Sequence, residues 1–209
     1  MLRRFPAFLS LTLTLLCWAS LAHADGVCSP PPGFQDTPHP TIASLDQLVS
    51  HTEEMIVPKS LDDVLAQDEH KSLKQAIKKA DNLPGVAGTY VLTGGDFGLP
   101  GSRRLVCLTD GSTTEEQVLL RERNPTSSRF RYVVWNYTTE KARPIVYGVG
   151  EFVWTSLGKD STNVRWTYSF QLNRNRFPGL LGPFGDWLFR VTFLDRDYAQ
   201  MMRRTMGRE

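Results

Sequence analysis

Between Thr162 and Leu172 the sequence alternates without a break. Val164, Trp166, Tyr168, Phe170 and Leu172 share one parity, and Arg165, Thr167, Ser169 and Gln171 share the other. An extended chain sends successive side chains to opposite faces, so this segment predicts a strand with one buried face and one wet face. The buried face carries rings too large to be left in water, so another element must cover it. A long helix is predicted just downstream. Phe184, Trp187, Leu188, Val191, Leu194, Tyr198 and Met201 keep helical spacing behind Pro183, which suits a first helical turn. Arg203 and Arg204 stand near its C-terminal end, where the helix dipole favours cations. Strand and helix each have one apolar face and are expected to bury those faces against one another.

The same period of two predicts five more strands, at about Val86 to Leu92, Arg103 to Leu108, Thr114 to Arg123, Arg129 to Thr138 and Val146 to Ser156. Gly94-Gly95, Pro100-Gly101, Asp110-Gly111, Asn124-Pro125 and Gly158-Lys159-Asp160 punctuate them. Links this short imply antiparallel hairpins. Upstream, Ser44 to Val49 is compatible with a helical turn, and His51 to Val57 with a first strand ending at Pro58. Ser60, with Asp62 and Asp63 behind it, has the pattern of a helix cap. A second helix is predicted from Leu73, Ala76, Ile77 and Ala80, stopped by Asn82-Leu83-Pro84-Gly85.

The N-terminus reads as an export signal, cleaved after Ala24. Arg3 and Arg4 precede the apolar run Phe8 to Ala22, and Ala22-His23-Ala24 is a small-x-small cleavage pattern. The run is broken by Thr12, Thr14 and Ser20 and falls short of the roughly 20 apolar residues a spanning helix needs, so no stable membrane anchor is expected after cleavage. Of 24 basic residues in the chain, cleavage removes Arg3 and Arg4, leaving 22 against 22 acidic ones. A neutral mature chain without a basic block gives no electrostatic case for nucleic acid or for an anionic membrane surface. Residues 25–43 read as an extended lead-in rich in proline and glycine, and 44–209 as one domain. Cys28 and Cys107 survive cleavage. In an oxidising compartment they form either a disulfide, contributing up to ~4 kcal/mol by closing a long loop, or two independent thiols.

Known catalytic patterns are missing from the sequence. His39, His51 and His70 lack paired-ligand spacing, so no metal site is expected. Gly94-Gly95-Asp96-Phe97-Gly98 lacks the ending of a phosphate loop and reads as a turn, and no nucleophile elbow occurs. No cofactor is called for. The candidates for a site are polar or aromatic residues that share parity with buried neighbours: Arg104, Glu116, Tyr132, Asn136, Tyr147, Glu151, Trp166 and Tyr168, with Trp187 and Val191 from the helix. Arg104 and Glu116 fall on adjacent strands and are expected to meet. Glu116 and Glu151 are the carboxylates that burial would suit to acid–base work.

The order strand, two short helices, six antiparallel strands and long C-terminal helix resembles the START-like helix-grip superfamily, also called SRPBCC, over about residues 48–206. Landmarks that carry the resemblance are Met55-Ile56-Val57-Pro58 leading to Ser60, Pro100-Gly101-Ser102-Arg103-Arg104, Asp110-Gly111, Glu116, and Val164-Arg165-Trp166. It implies an α+β helix-grip fold, a curved antiparallel sheet of about seven strands wrapped around the C-terminal helix, with a cavity between them. It also implies a small hydrophobic ligand, such as a lipid, an isoprenoid or an aromatic, as the partner of a periplasmic or secreted binding protein. The alternatives are a cyclase- or dehydratase-like enzyme on a hydrophobic substrate and an interaction module with a filled core.

Overall fold

Alternating segments joined by short links are expected to pair with their neighbours in sequence, and the computed structural model shows that those from Val86 to Leu172 do. It describes residues 28–69, 71–93, 95 and 97–208. The expected signal segment, with Cys17 and His23, lies outside the described residues, as do Asp25, His70, Gly94 and Asp96. The strands are β1 (Val49–Val57), β2 (Val86–Thr93), β3 (Arg103–Leu108), β4 (Thr113–Asn124), β5 (Ser127–Trp135), β6 (Ile145–Gly158) and β7 (Ser161–Leu172). They form one antiparallel sheet in the order β1-β7-β6-β5-β4-β3-β2. Register shifts in the β2–β3, β4–β5 and β6–β7 ladders mark bulges, which bend strands and help the sheet curve.

Between β1 and β2 the chain crosses from one edge of the sheet to the other through α1 (Leu61–Glu69) and α2 (Leu73–Ala76). Ser60 caps α1 as its sequence predicts, its hydroxyl accepting from the Asp63 amide at 3.2 Å. Leu61, Val64 and Leu65 then pack on Trp154 and Val164. The second helix is much shorter than the spacing from Leu73 to Ala80 predicts. A capping box between Ser72 and Gln75 starts it, but Ile77 is already extended. Beyond Ile77 the backbone amides of Lys78 and Asp81 donate to the side chains of Thr205 and Gln200 on the C-terminal helix, a tertiary alternative to helical bonding.

The C-terminal helix runs through three consecutive stretches: α3 (Pro183–Phe189), a π-helical stretch (Arg190–Tyr198) and α4 (Ala199–Thr205). Its inner side carries Phe189, Leu194, Met201 and Met202 into a core with Tyr132, Trp166, Tyr168, Phe170 and Leu172. Polar contacts fix it to β1. The His51 ring nitrogens lie 2.7 Å from Asp195 Oδ1 and 3.0 Å from Glu53 Oε1, and Glu53 also accepts from Arg203 and Arg208.

The lead-in folds back over the outer face of the sheet. Cys28 and Cys107 are joined in a disulfide, with their Cα atoms 5.6 Å apart. Ile42, Ala43 and Leu48 cover Val133, Trp135, Tyr147 and Val149, forming a second apolar cluster on the side away from the helix. The sheet is therefore buried in part on both faces, which decides where several site candidates end up.

Candidate functional site

The space between sheet and helix is hollow. Two adjoining cavities of about 470 Å³ and 570 Å³ share Leu73, Ile77, Glu116 and Tyr132 as walls. One runs under Phe193 and Tyr198 of the π-helical stretch toward Ala142 and Ile145. The other runs toward α1, between Val64, Leu65 and the rings of Phe97, Phe152 and Trp154. The filled-core expectation fails here for an identifiable reason. Two glycines in β6 allow rings to lie flat across the sheet instead of pointing to its centre. A Cβ on Gly150 would stand 2.2 Å from Tyr132 Cζ, and one on Gly148 would stand 2.6 Å from Tyr168 Cε1.

The walls are aromatic. Phe152 stacks on Trp166 at 4.6 Å and on Trp154 at 5.3 Å, and Tyr168 meets Tyr198 at 4.7 Å and Tyr132 at 6.1 Å between ring centres. Burial pushes the phenols of Tyr132, Tyr137, Tyr168 and Tyr198 up from their ordinary value, so they stay neutral and offer hydroxyls rather than charge. Three polar atoms in this wall lack a partner in hydrogen-bond geometry, the Trp154 Nε1, the Trp166 Nε1 and the Tyr137 hydroxyl, although the Tyr132 hydroxyl lies close to Trp166 and that of Tyr168 close to Tyr137. Charged side chains also line the cavities, among them Lys141, Arg196 and Asp197, and one buried pair stands where the two meet. Arg104 Nε donates to Glu116 Oε2 at 2.6 Å, and the guanidinium lies over the Phe97 ring, 3.6 Å from its centre.

Of the ten residues singled out from the sequence, the structure brings Arg104, Glu116, Tyr132, Trp166 and Tyr168 together around this space. It places the other five elsewhere. Tyr147 and Glu151 stand at odd positions of β6, which face outward because Gly148, Gly150 and Phe152 pair with the inward Phe170, Tyr168 and Trp166. Tyr147 is buried under the lead-in, its hydroxyl accepting from the Ala43 amide at 2.8 Å, and Glu151 pairs with Arg129. Asn136 has the inward parity of β5, but its left-handed backbone (φ 53°) ends the alternation, and its amide donates to Glu115 at 2.7 Å on the outer face. Trp187 and Val191 point to solvent. They share a 3.6-residue spacing with Leu194, Tyr198 and Met201, but the π-helical stretch widens each turn and rotates the later residues off that line.

Several wall residues escaped the sequence reading. Phe97 lies in the loop between β2 and β3, just before Gly98, Tyr137 lies just past β5, and Phe193 sits in the π-helical stretch. Glu115 also went unnoticed. It is fully buried on the outer face, paired with Arg103 and hydrogen-bonded by Asn136 and Thr37. Burial raises its carboxyl above the usual range, against the lowering effects of Asn136 and Arg103.

No protein-family model matches the chain, and no curated protein sequence matches it. Solved structures do. A hypothetical protein from Helicobacter pylori overlays with a TM-score of 0.50 at 12% identity, covering 83% of this chain and 94% of that one. A START superfamily protein from Mycobacterium smegmatis overlays at 0.48 with 13% identity, covering 75% and 93%. Norcoclaurine synthase from Thalictrum flavum overlays at 0.48 with 14% identity, covering 86% and 97%. Likeness at such identities concerns the fold and not the chemistry. By its strand order, its paired short helices and its sheet-covered C-terminal helix, this chain has the START-like, or SRPBCC, helix-grip fold.

Proposed function

We propose that this is an exported binding protein that holds a small, largely apolar molecule between the sheet and the C-terminal helix. The observation that carries the reading is the hollow itself: two joined cavities with aromatic walls, neutral phenols and one charge pair at their junction. Such a space suits a ligand with apolar parts on both sides of a polar group that can accept a hydrogen bond. The protein named for the START superfamily and norcoclaurine synthase share the fold and are consistent with a pocket, though they name no ligand for this chain. Export is supported by the N-terminal pattern and by the Cys28–Cys107 disulfide, which suits an oxidising compartment.

Native mass spectrometry of gently purified protein tests this reading, together with uptake of an apolar fluorescent dye. Bound mass in the range of a lipid or isoprenoid, and dye uptake lost in Val134→Phe, which fills the cavity from β5, are the expected results. Bare protein that takes up no dye would overturn it. The cyclase- or dehydratase-like alternative now rests on Glu116 alone, since Glu151 faces outward, and Glu116 is already engaged by Arg104.

A further inference from the structure

The helix that covers the cavity turns a second apolar face away from it. Phe177, Leu180, Phe184 and Trp187 are 61%, 55%, 59% and 55% exposed, and Leu181 and Val191 are exposed beside them. Isolated exposed apolar residues are ordinary, but a cluster of large ones on one short stretch of chain is not. The Phe184 and Trp187 rings stack on one another in the open at 5.5 Å. The joint that carries Phe177, Leu180 and Leu181 is packed hard against the start of the helix. A Cβ on Gly185 would lie 1.9 Å from the Pro178 carbonyl oxygen, and the Leu180 and Leu181 amides are bonded within the joint. Joint and helix start therefore form one surface.

That surface has a cationic rim. Arg174, Arg176 and Arg190 border it, against two acids, Asp186 within the stretch and Asp46, which shares a groove with Trp187 and Arg190. Asp186 is taken by Arg174, and Arg190 donates to the Ser50 carbonyl. Arg176 is exposed, and its guanidinium makes no hydrogen bond or ion pair among the described residues. The patch also shares an end of the molecule with the cavity. Leu172, the last residue before the joint, pairs with Ile145, the Asn173 amide donates to the Pro144 carbonyl at 2.7 Å, and Ile145 and Ala142 line the cavity.

We propose that this face docks on the surface of a lipid bilayer that carries anionic headgroups. The rings and leucines enter the boundary between headgroups and acyl chains, and the arginine rim meets the phosphates. Charge separates this partner from a second copy of the chain: a copy would bring one arginine excess against another, whereas anionic headgroups neutralise it. No described helix is long and apolar enough to cross a membrane, and the contact proposed is a peripheral one. Docking sets the Ala142–Ile145 end of the cavity beside the bilayer, where an apolar ligand can pass without crossing water. That last step rests on the cavity reading, and the docking does not.

Co-sedimentation of the purified mature chain, beginning at Asp25, with vesicles of phosphatidylcholine, with and without phosphatidylglycerol, tests the proposal. Wild-type protein is expected to sediment with the anionic vesicles and less with the neutral ones. The double variant Phe184→Ser/Trp187→Ser is expected to bind at least ~10-fold more weakly, and Arg176→Gln ~5-fold more weakly on anionic vesicles alone. Circular dichroism and dye uptake, unchanged in these surface variants, keep the result separate from misfolding and from the cavity reading. If wild type takes up no dye yet binds vesicles through the patch, the cavity reading falls and docking stands. Equal vesicle binding by wild type and the double variant overturns docking. So does a dimer that the double variant dissolves while neither protein binds vesicles.

Discussion

Arg104 and Glu116 show why one buried pair can matter to both stability and binding. Glu116 is almost wholly buried, so the attraction across the 2.6 Å contact is largely spent on offsetting the desolvation of both groups. Removing one partner leaves the other uncompensated. Arg104→Met and Glu116→Gln are each expected to cost about 3 kcal/mol, and the double variant less than their sum, measured by urea unfolding of the four proteins as a cycle. Gly150 makes a different case. A methyl there would meet the Tyr132 ring at 2.2 Å, so Gly150→Ala is expected to cost ~1–3 kcal/mol and to disturb dye binding. Gly85→Ala, where the nearest atoms would lie at 3.6 Å, is expected to stay within ~1 kcal/mol. Parity made Arg104, Glu116, Tyr132, Trp166 and Tyr168 legible in the sequence. It misled for Tyr147, because a residue buried beneath the lead-in has the same pattern as one buried beneath the helix.

At the scale of elements, the strands were legible to within a few residues because one covered face imposes alternation. Three features were not. Tertiary hydrogen bonds ended α2 early, π-helical turns rotated the inner face of the C-terminal helix, and a segment with no period became a cover for the sheet. That cover is stitched down by the Cys28–Cys107 bond and by the contacts of Asp36 and Thr37 with Arg103 and Glu115. Cys28→Ser, or reduction, is expected to lower stability by ~2–4 kcal/mol, read from thermal unfolding with and without reductant. Glu115 adds a pH dependence. Its folded pKa is raised, so the folded chain holds the proton more tightly than the unfolded chain does. Its stabilising contribution is present below the ordinary carboxylate pKa and is lost as pH rises through the raised value. Wild type should therefore lose stability relative to Glu115→Gln as pH climbs out of the acidic range, seen in urea midpoints measured across that range.

Taken whole, the molecule is a sheet wrapped around a helix with a space kept open between them, and alternation alone cannot tell an open space from a filled one. The four phenols around that space report on its closure. Burial raises the pKa of Tyr132, Tyr137, Tyr168 and Tyr198, whereas the unfolded chain ionises them near the ordinary value of 10.0. The folded state therefore retains protons that the unfolded state releases, and stability falls as pH rises past that value. Because the four groups line one cavity, their losses reinforce one another and alkaline unfolding should be steep. Tyrosinate absorbance from these residues should appear only together with the loss of the circular dichroism signal. A bound apolar ligand, stabilising the folded state alone, should move both transitions to higher pH together. If the four phenols instead ionised while the circular dichroism stayed native, water would have free access to the cavity, and a dry site for an apolar molecule would be ruled out.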